Sequence, residues 1–262
     1  MTTASQALLQ SFIEGPLLVA DLPEAATFPF NELSLPDYDS SLNPDQKLGH
    51  LCEDAIATLL DASTTFELLV RNLQVQADIH TTVGELDFLI RDLKSGQLIH
   101  LELATKFYLA VETNESLKLP GPDARDNYFE KLKHLRKHQL TLTRQFQDAP
   151  PESYQHQPII PKQLIYGCLF DNISSSEPAT AEFINPHCRR GQWLTIKECP
   201  NHFPKDTHFQ IIPKHLWPVP LDLIQGIELE TWIPSEHLDR CVMLRVYDES
   251  VPYLITPADY PS

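Results

Sequence analysis

Asp87, in Gly84-Glu85-Leu86-Asp87, and Glu102, in His100-Leu101-Glu102, are the residues of this chain best placed to do chemistry. Apolar residues fall on even positions from Leu86 to Ile90 and mostly on odd positions from Ile99 to Leu109, a period of two that predicts two strands with one buried face each. Leu93-Lys94-Ser95-Gly96 makes the turn between them. With Asp92 paired to Gln97, antiparallel register sets Asp87 opposite Glu102 on the more polar face of the hairpin. Two like charges so placed destabilise a sheet, so the pair calls for a cation, and a divalent metal answers that need. Hydrolysis of a phosphodiester needs such anionic ligands, a positioned water and positive charge near the phosphate. The Leu103 carbonyl is a candidate third oxygen. Glu53 could approach the same face from a helix, and His100 shares the Glu102 face as a ligand or a hydrogen-bonded neighbour.

The elements that must carry these residues follow in order. Asn43-Pro44-Asp45 resembles a helix start with Asn43 as cap, and apolar residues at Leu48, Leu51, Cys52, Ala55, Ile56 and Leu59 predict a helix over 44–60. A first strand is expected over 66–75, before the hairpin. Tyr128, Leu132, Leu135, Gln139, Leu142 and Phe146 recur at helical spacing, and Gln163 to Phe170 reads as a further, buried strand. The expected class is therefore α/β, with a core ordered helix, three strands, helix, strand over 44–172. A proline-containing acidic arm precedes it at 1–43, with a short apolar helix at Leu8 to Phe12. An α+β extension follows at 173–262, with strands expected at 192–198, 209–212, 242–247 and 253–255 and a helix at 221–227.

That order, with an acid on the second strand and a third strand Glu102-Leu103-Ala104-Thr105-Lys106, resembles the PD-(D/E)XK nuclease superfamily, whose core is restriction-endonuclease-like. More narrowly, Leu48-Gly49-His50-Leu51-Cys52-Glu53, Gly84 to Asp87, His100 to Leu109 and Lys133 to Leu140 are similar to a bacterial domain-of-unknown-function family assigned to it. The resemblance spans roughly residues 44–170. It implies a Mg²⁺- or Mn²⁺-dependent nuclease with Glu53 in the helical acid position and Asp87 and Glu102 as metal ligands. The chain departs from the pattern at the lysine: Ala104 fills the slot two residues after the acid. Lys106 lies on the same face four residues on, about 13 Å along an ideal strand. A β-bulge near Thr105 would bring it closer. Lys131 or Lys133 could instead supply the ammonium from the helix, or there is no catalytic lysine.

Charge sharpens the question of partners. The 262 residues carry a formal net charge of -16, which excludes a surface that is basic overall. Residues 1–46 hold seven Asp or Glu and no Lys or Arg, whereas Arg125 to Arg144 holds six basic residues against Asp126 and Glu130. Lys131, Lys133, Arg136 and Lys137 are thus the expected nucleic-acid contacts, and the nuclease resemblance favours DNA over RNA as the partner. The rival expectation is a nuclease-fold module that no longer cleaves and acts in protein interaction or complex assembly. An acidic arm folded over the basic helix would mimic nucleic acid and reconcile the two. The five cysteines include no C-x-x-C pair, and His187, Cys188, Cys199, His202 and His208 are spaced more loosely than a zinc finger. No G-x-S-x-G, G-x-x-x-x-G-K or H-E-x-x-H motif occurs. With no apolar run long enough to span a bilayer and no basic leader at the start, the expected location is the cytoplasm, with no membrane partner.

Overall fold

The computed structural model describes residues 3–38, 40–78, 80–113, 116–234 and 237–261. Its helices are α1 (Ala4–Glu14), α2 (Leu48–Asp61), α3 (Tyr128–Lys137), α4 (Leu142–Gln145) and α5 (Cys199–His202). The strands are β1 (Ala26–Thr27), β2 (Phe66–Asp78), β3 (Thr81–Asp92), β4 (Leu98–Leu109), β5 (Val111–Glu112), β6 (Leu117–Lys118), β7 (Ile159–Asn172), β8 (Arg190–Thr195), β9 (Phe209–Ile211), β10 (Thr231–Trp232), β11 (Val242–Val246) and β12 (Tyr253–Thr256). Among the described residues ten of these strands form one mixed sheet in the order β10-β9-β11-β12-β8-β7-β4-β3-β2, with β1 beside β7. It is an α/β fold in which helices flank a large sheet.

The central pair is β4 and β7, parallel without interruption from Leu98↔Ile159 to Leu109↔Phe170. Alternate residues of this pair divide between two cores. Ile99, Leu101 and Phe107 of β4 join Phe12 of α1 and Leu51, Ile56 and Leu60 of α2 on one face. Tyr108 and Ile165 join Tyr128, Leu132 and Leu135 of α3 on the other. The edge of the Tyr108 ring meets Tyr128 at 5.5 Å between centroids. Such a pair contributes about 1 kcal/mol beyond the area it buries.

Several boundaries differ from expectation for local reasons. The Asn43 side chain accepts a hydrogen bond from Asp45 N at 3.1 Å, closing a turn two residues on, so Asn43 does not cap α2, which begins only at Leu48. The first helix is longer than its apolar centre because Thr3 and Gln6 form a reciprocal capping box at its start. The basic helix stops at Lys137, since His138 leaves helical dihedrals and the Thr141 hydroxyl bonds back to the His138 carbonyl at 2.8 Å. A three-ten turn, Gln139–Thr141, then leads into α4. The helix expected over 221–227 is a run of turns, with Leu223 N donating to Pro220 O and Ile227 N to Ile224 O. No bulge occurs in β4 near Thr105, because β7 holds it in continuous register.

Gly167 faces Lys106 across the β4–β7 ladder at φ +152, and a Cβ there would be driven into the Lys106 carbonyl. Glycine is therefore required for β4 to run straight past Lys106. Gly167→Ala should lower unfolding stability by about 3 kcal/mol, read as a reduced urea midpoint with unchanged slope.

A candidate active site where two strands part

β3 and β4 are each twelve residues long but pair only from Phe88↔Leu101 to Arg91↔Leu98, closed by Asp92 N donating to Gln97 O at 2.9 Å. Continued register would set Asp87 opposite Glu102, and the ladder ends there. In place of a strand carbonyl, Asp87 Oδ2 accepts the Leu103 N–H at 2.7 Å. Beyond this point β3 stays paired to β2 as far as Asp78↔Thr81, while β4 continues with β7. The strands part, and a pocket of about 370 Å³ opens along β4 beneath α3, lined among others by Glu53, Glu102, Lys106, Lys131, His134 and Gln139.

Glu102 is only 2% exposed, because α3 covers the more polar face of the hairpin. Both its oxygens are engaged. Gln139 Nε2 donates to Oε2 at 2.9 Å, and His100 Nε2 lies 2.7 Å from Oε1. His100 is fully buried, which pushes its pKa down to about 4, so a neutral ring shares one proton with the carboxyl group. Glu102 is itself pushed up to about 8, chiefly by burial. Asp87, on the β3 side and outside the pocket lining, also rises to about 8, first through burial, then through the Glu102 charge, with a smaller push from Glu53. The two acids titrate as a coupled pair.

Glu53 is held from β2. Asn72 Nδ2 donates to its Oε2 at 3.1 Å, and Arg71 lies 3.8 Å away. Asn72 occupies the β2 position facing Asp87, at φ +53, a left-handed conformation that asparagine tolerates better than most residues. Lys106 lines the pocket, yet its Nζ donates to Asp126 Oδ2 at 2.9 Å, so the expected approach to the acids is replaced by a loop partner. Of the expected helix cations, Lys131 lines the pocket, and Lys133 and Lys137 are exposed outside it. Arg136 is taken: its Nε and Nη2 donate to the two Glu24 oxygens at 2.8 Å each, and it stacks over Phe183.

Helical spacing places Gln139 in the apolar stripe of the sequence, and periodicity does not mark Asn72. A glutamine among leucines on a buried face, and an asparagine inside a strand, were the available signals. Among the described residues no group of three or more His, Cys, Asp or Glu stands ready to hold a metal ion. Cys188 packs in the α3 core and Cys199 in a separate C-terminal core, so the loose Cys/His run does not converge. Asp87 and Glu102 offer hard carboxyl oxygens, of which magnesium needs one or two groups, with water and phosphate completing its shell; in the structure His100 and Gln139 occupy the Glu102 oxygens.

A large mixed sheet flanked by helices, with an acid pair where two strands part, is consistent with a restriction-endonuclease-like core. The chain belongs to the family described as Domain of unknown function (DUF1853), whose model matches residues 18–256, a family generally considered part of the PD-(D/E)XK-like nuclease superfamily. No curated protein and no solved structure matches it significantly. Among the described residues no helix is long and apolar enough to cross a membrane.

The raised carboxyl groups set a pH dependence. The folded state keeps protons that the unfolded chain releases above about pH 4, so stability falls as pH rises toward about 8. Asp87→Asn removes the Asp87 share of this liability. In buffer free of divalent cations its melting temperature should match wild type near pH 4 and exceed it by several degrees at pH 8; parallel curves would contradict the shifts.

Proposed function

We propose that this protein hydrolyses phosphodiester bonds in nucleic acid, DNA in preference to RNA, using Mg²⁺ or Mn²⁺ in the cytoplasm. The reading rests on one observation above others: Asp87 and Glu102, both raised to about 8, are brought together where β3 and β4 part. In this reading α2, β2 to β4, α3 and β7 are the restriction-endonuclease-like core, and residues 173–262 extend its sheet. Asp87 and Glu102 hold the metal, which when bound supplies positive charge to the phosphate and acidifies water.

The chain's own side chains do the rest. His100 and Gln139 fix the Glu102 carboxyl in one orientation, and Asn72 fixes Glu53, whose charge adds to the cation-attracting field. Lys106 leaves Asp126 for the phosphate, where it orients the attacking water or stabilises developing charge. Lys131, Lys133 and Lys137 draw in the backbone, and Arg136 joins them on release from Glu24, so binding weakens steeply with salt.

The ion pairs of Lys106 with Asp126 and of Arg136 with Glu24 favour a second reading, a non-cleaving module in a protein assembly. Incubation of the protein with single- and double-stranded DNA and with RNA in Mn²⁺ separates the two. The enzyme reading expects cleavage that drops by about a hundredfold or more in Asp87→Ala, Glu102→Ala and Lys106→Ala. No cleavage together with no Mn²⁺ binding at millimolar concentration would leave only the second reading.

A further inference from the structure

Ala104 stands where a lysine would fill the space between β4 and α3, and the space it leaves is part of the pocket. Part of its lining is apolar and aromatic: Val19 from the N-terminal segment, Ile165 from β7, Tyr128 and Leu132 from α3. Polar side chains share the lining: Glu102 with the Gln139 amide that donates to it, Lys131 and His134. At about 370 Å³ it falls within the range of small-molecule sites, about 300 to 1,000 Å³. A lone phosphate does not need apolar walls, and a cation does not need room of this size.

We propose that this pocket receives one unstacked nucleobase, which makes single-stranded or locally opened nucleic acid the substrate of the site. The inference rests on the nuclease reading and deepens it. Glu102 is 2% exposed and is reached along the pocket, so a base-paired duplex cannot bring a backbone phosphate to it while every nucleotide remains stacked. A nucleotide that leaves the stack resolves the conflict. Its base enters between Tyr128, Leu132 and Ile165, and its phosphate meets Lys131 and Glu102. The base is held by apolar and aromatic contact, which tolerates sequence.

The test uses the full chain in Ca²⁺ without Mg²⁺ or Mn²⁺, and compares binding of a short thymidine oligomer with a fully abasic strand of equal length and charge. The intact strand should bind about tenfold more tightly, and a blunt duplex no better than the abasic strand. Ala104→Leu, which fills the pocket, should bring the intact strand's affinity down to that of the abasic strand. Should Ala104→Leu fail to fold, carbon-13 methyl shifts of Ala104 and Ile165 in the wild-type chain on addition of thymidine monophosphate give the same answer. Equal affinity for intact and abasic strands, a preference that survives Ala104→Leu, unmoved methyl shifts, or no binding of either strand overturns the pocket. Cleavage in Mn²⁺ without a base preference removes the pocket and keeps the nuclease reading; a base preference without cleavage does the reverse.

Discussion

The rest of the site depends on one hydrogen bond, from the Leu103 N–H to the Asp87 carboxylate. A carboxylate in that place ends the β3–β4 ladder, because it occupies the donor that a strand carbonyl would otherwise take. The ending frees β3 to leave with β2, opens the edge of β4, and leaves Asp87 and Glu102 side by side at the point of separation. The same bond lowers the Asp87 pKa, yet burial and the Glu102 charge outweigh it. The sheet thus holds two acids in a state that favours protons or a cation over free charge.

Around that point the structure fixes positions twice over. Glu102 is gripped through both oxygens, by His100 from its own strand and by Gln139 from the turn after α3, so helix and sheet cannot shift independently without disturbing it. Gly167 keeps β4 in unbroken register with β7 past Lys106. By contrast the cations are held by exchangeable, partly exposed partners, Asp126 for Lys106 and Glu24 for Arg136. Ion pairs of that kind contribute about 1 kcal/mol or less, so a polyanion can displace them.

Much of this was legible in the chain. The period of two in Leu86 to Ile90 and Ile99 to Leu109 located both strands and, with the turn at Leu93 to Gly96, the register that brings Asp87 toward Glu102. The stripe of Tyr128, Leu132 and Leu135 located the face of α3 that meets the sheet. Those features are local, and local periodicity reports them because each strand or helix must turn its apolar side inward. Asn43 and the break at His138 depart from the periodic pattern because side chains there compete for backbone hydrogen bonds, a contest that periodicity does not record.

The sequence by itself determined which residues are acidic, which strands carry them and which helix is basic. Only the tertiary structure decided that the acid-bearing face is buried, that Lys106 answers to Asp126 and Arg136 to Glu24, and that Ala104 borders a pocket. Each of these depends on segments far apart in the chain meeting across the sheet. Glu24 and Arg136 are separated by 112 residues, and no spacing along the sequence encodes that contact. Burial, ion pairing and cavity shape belong to the packed molecule, because they arise where elements meet and not within any one of them.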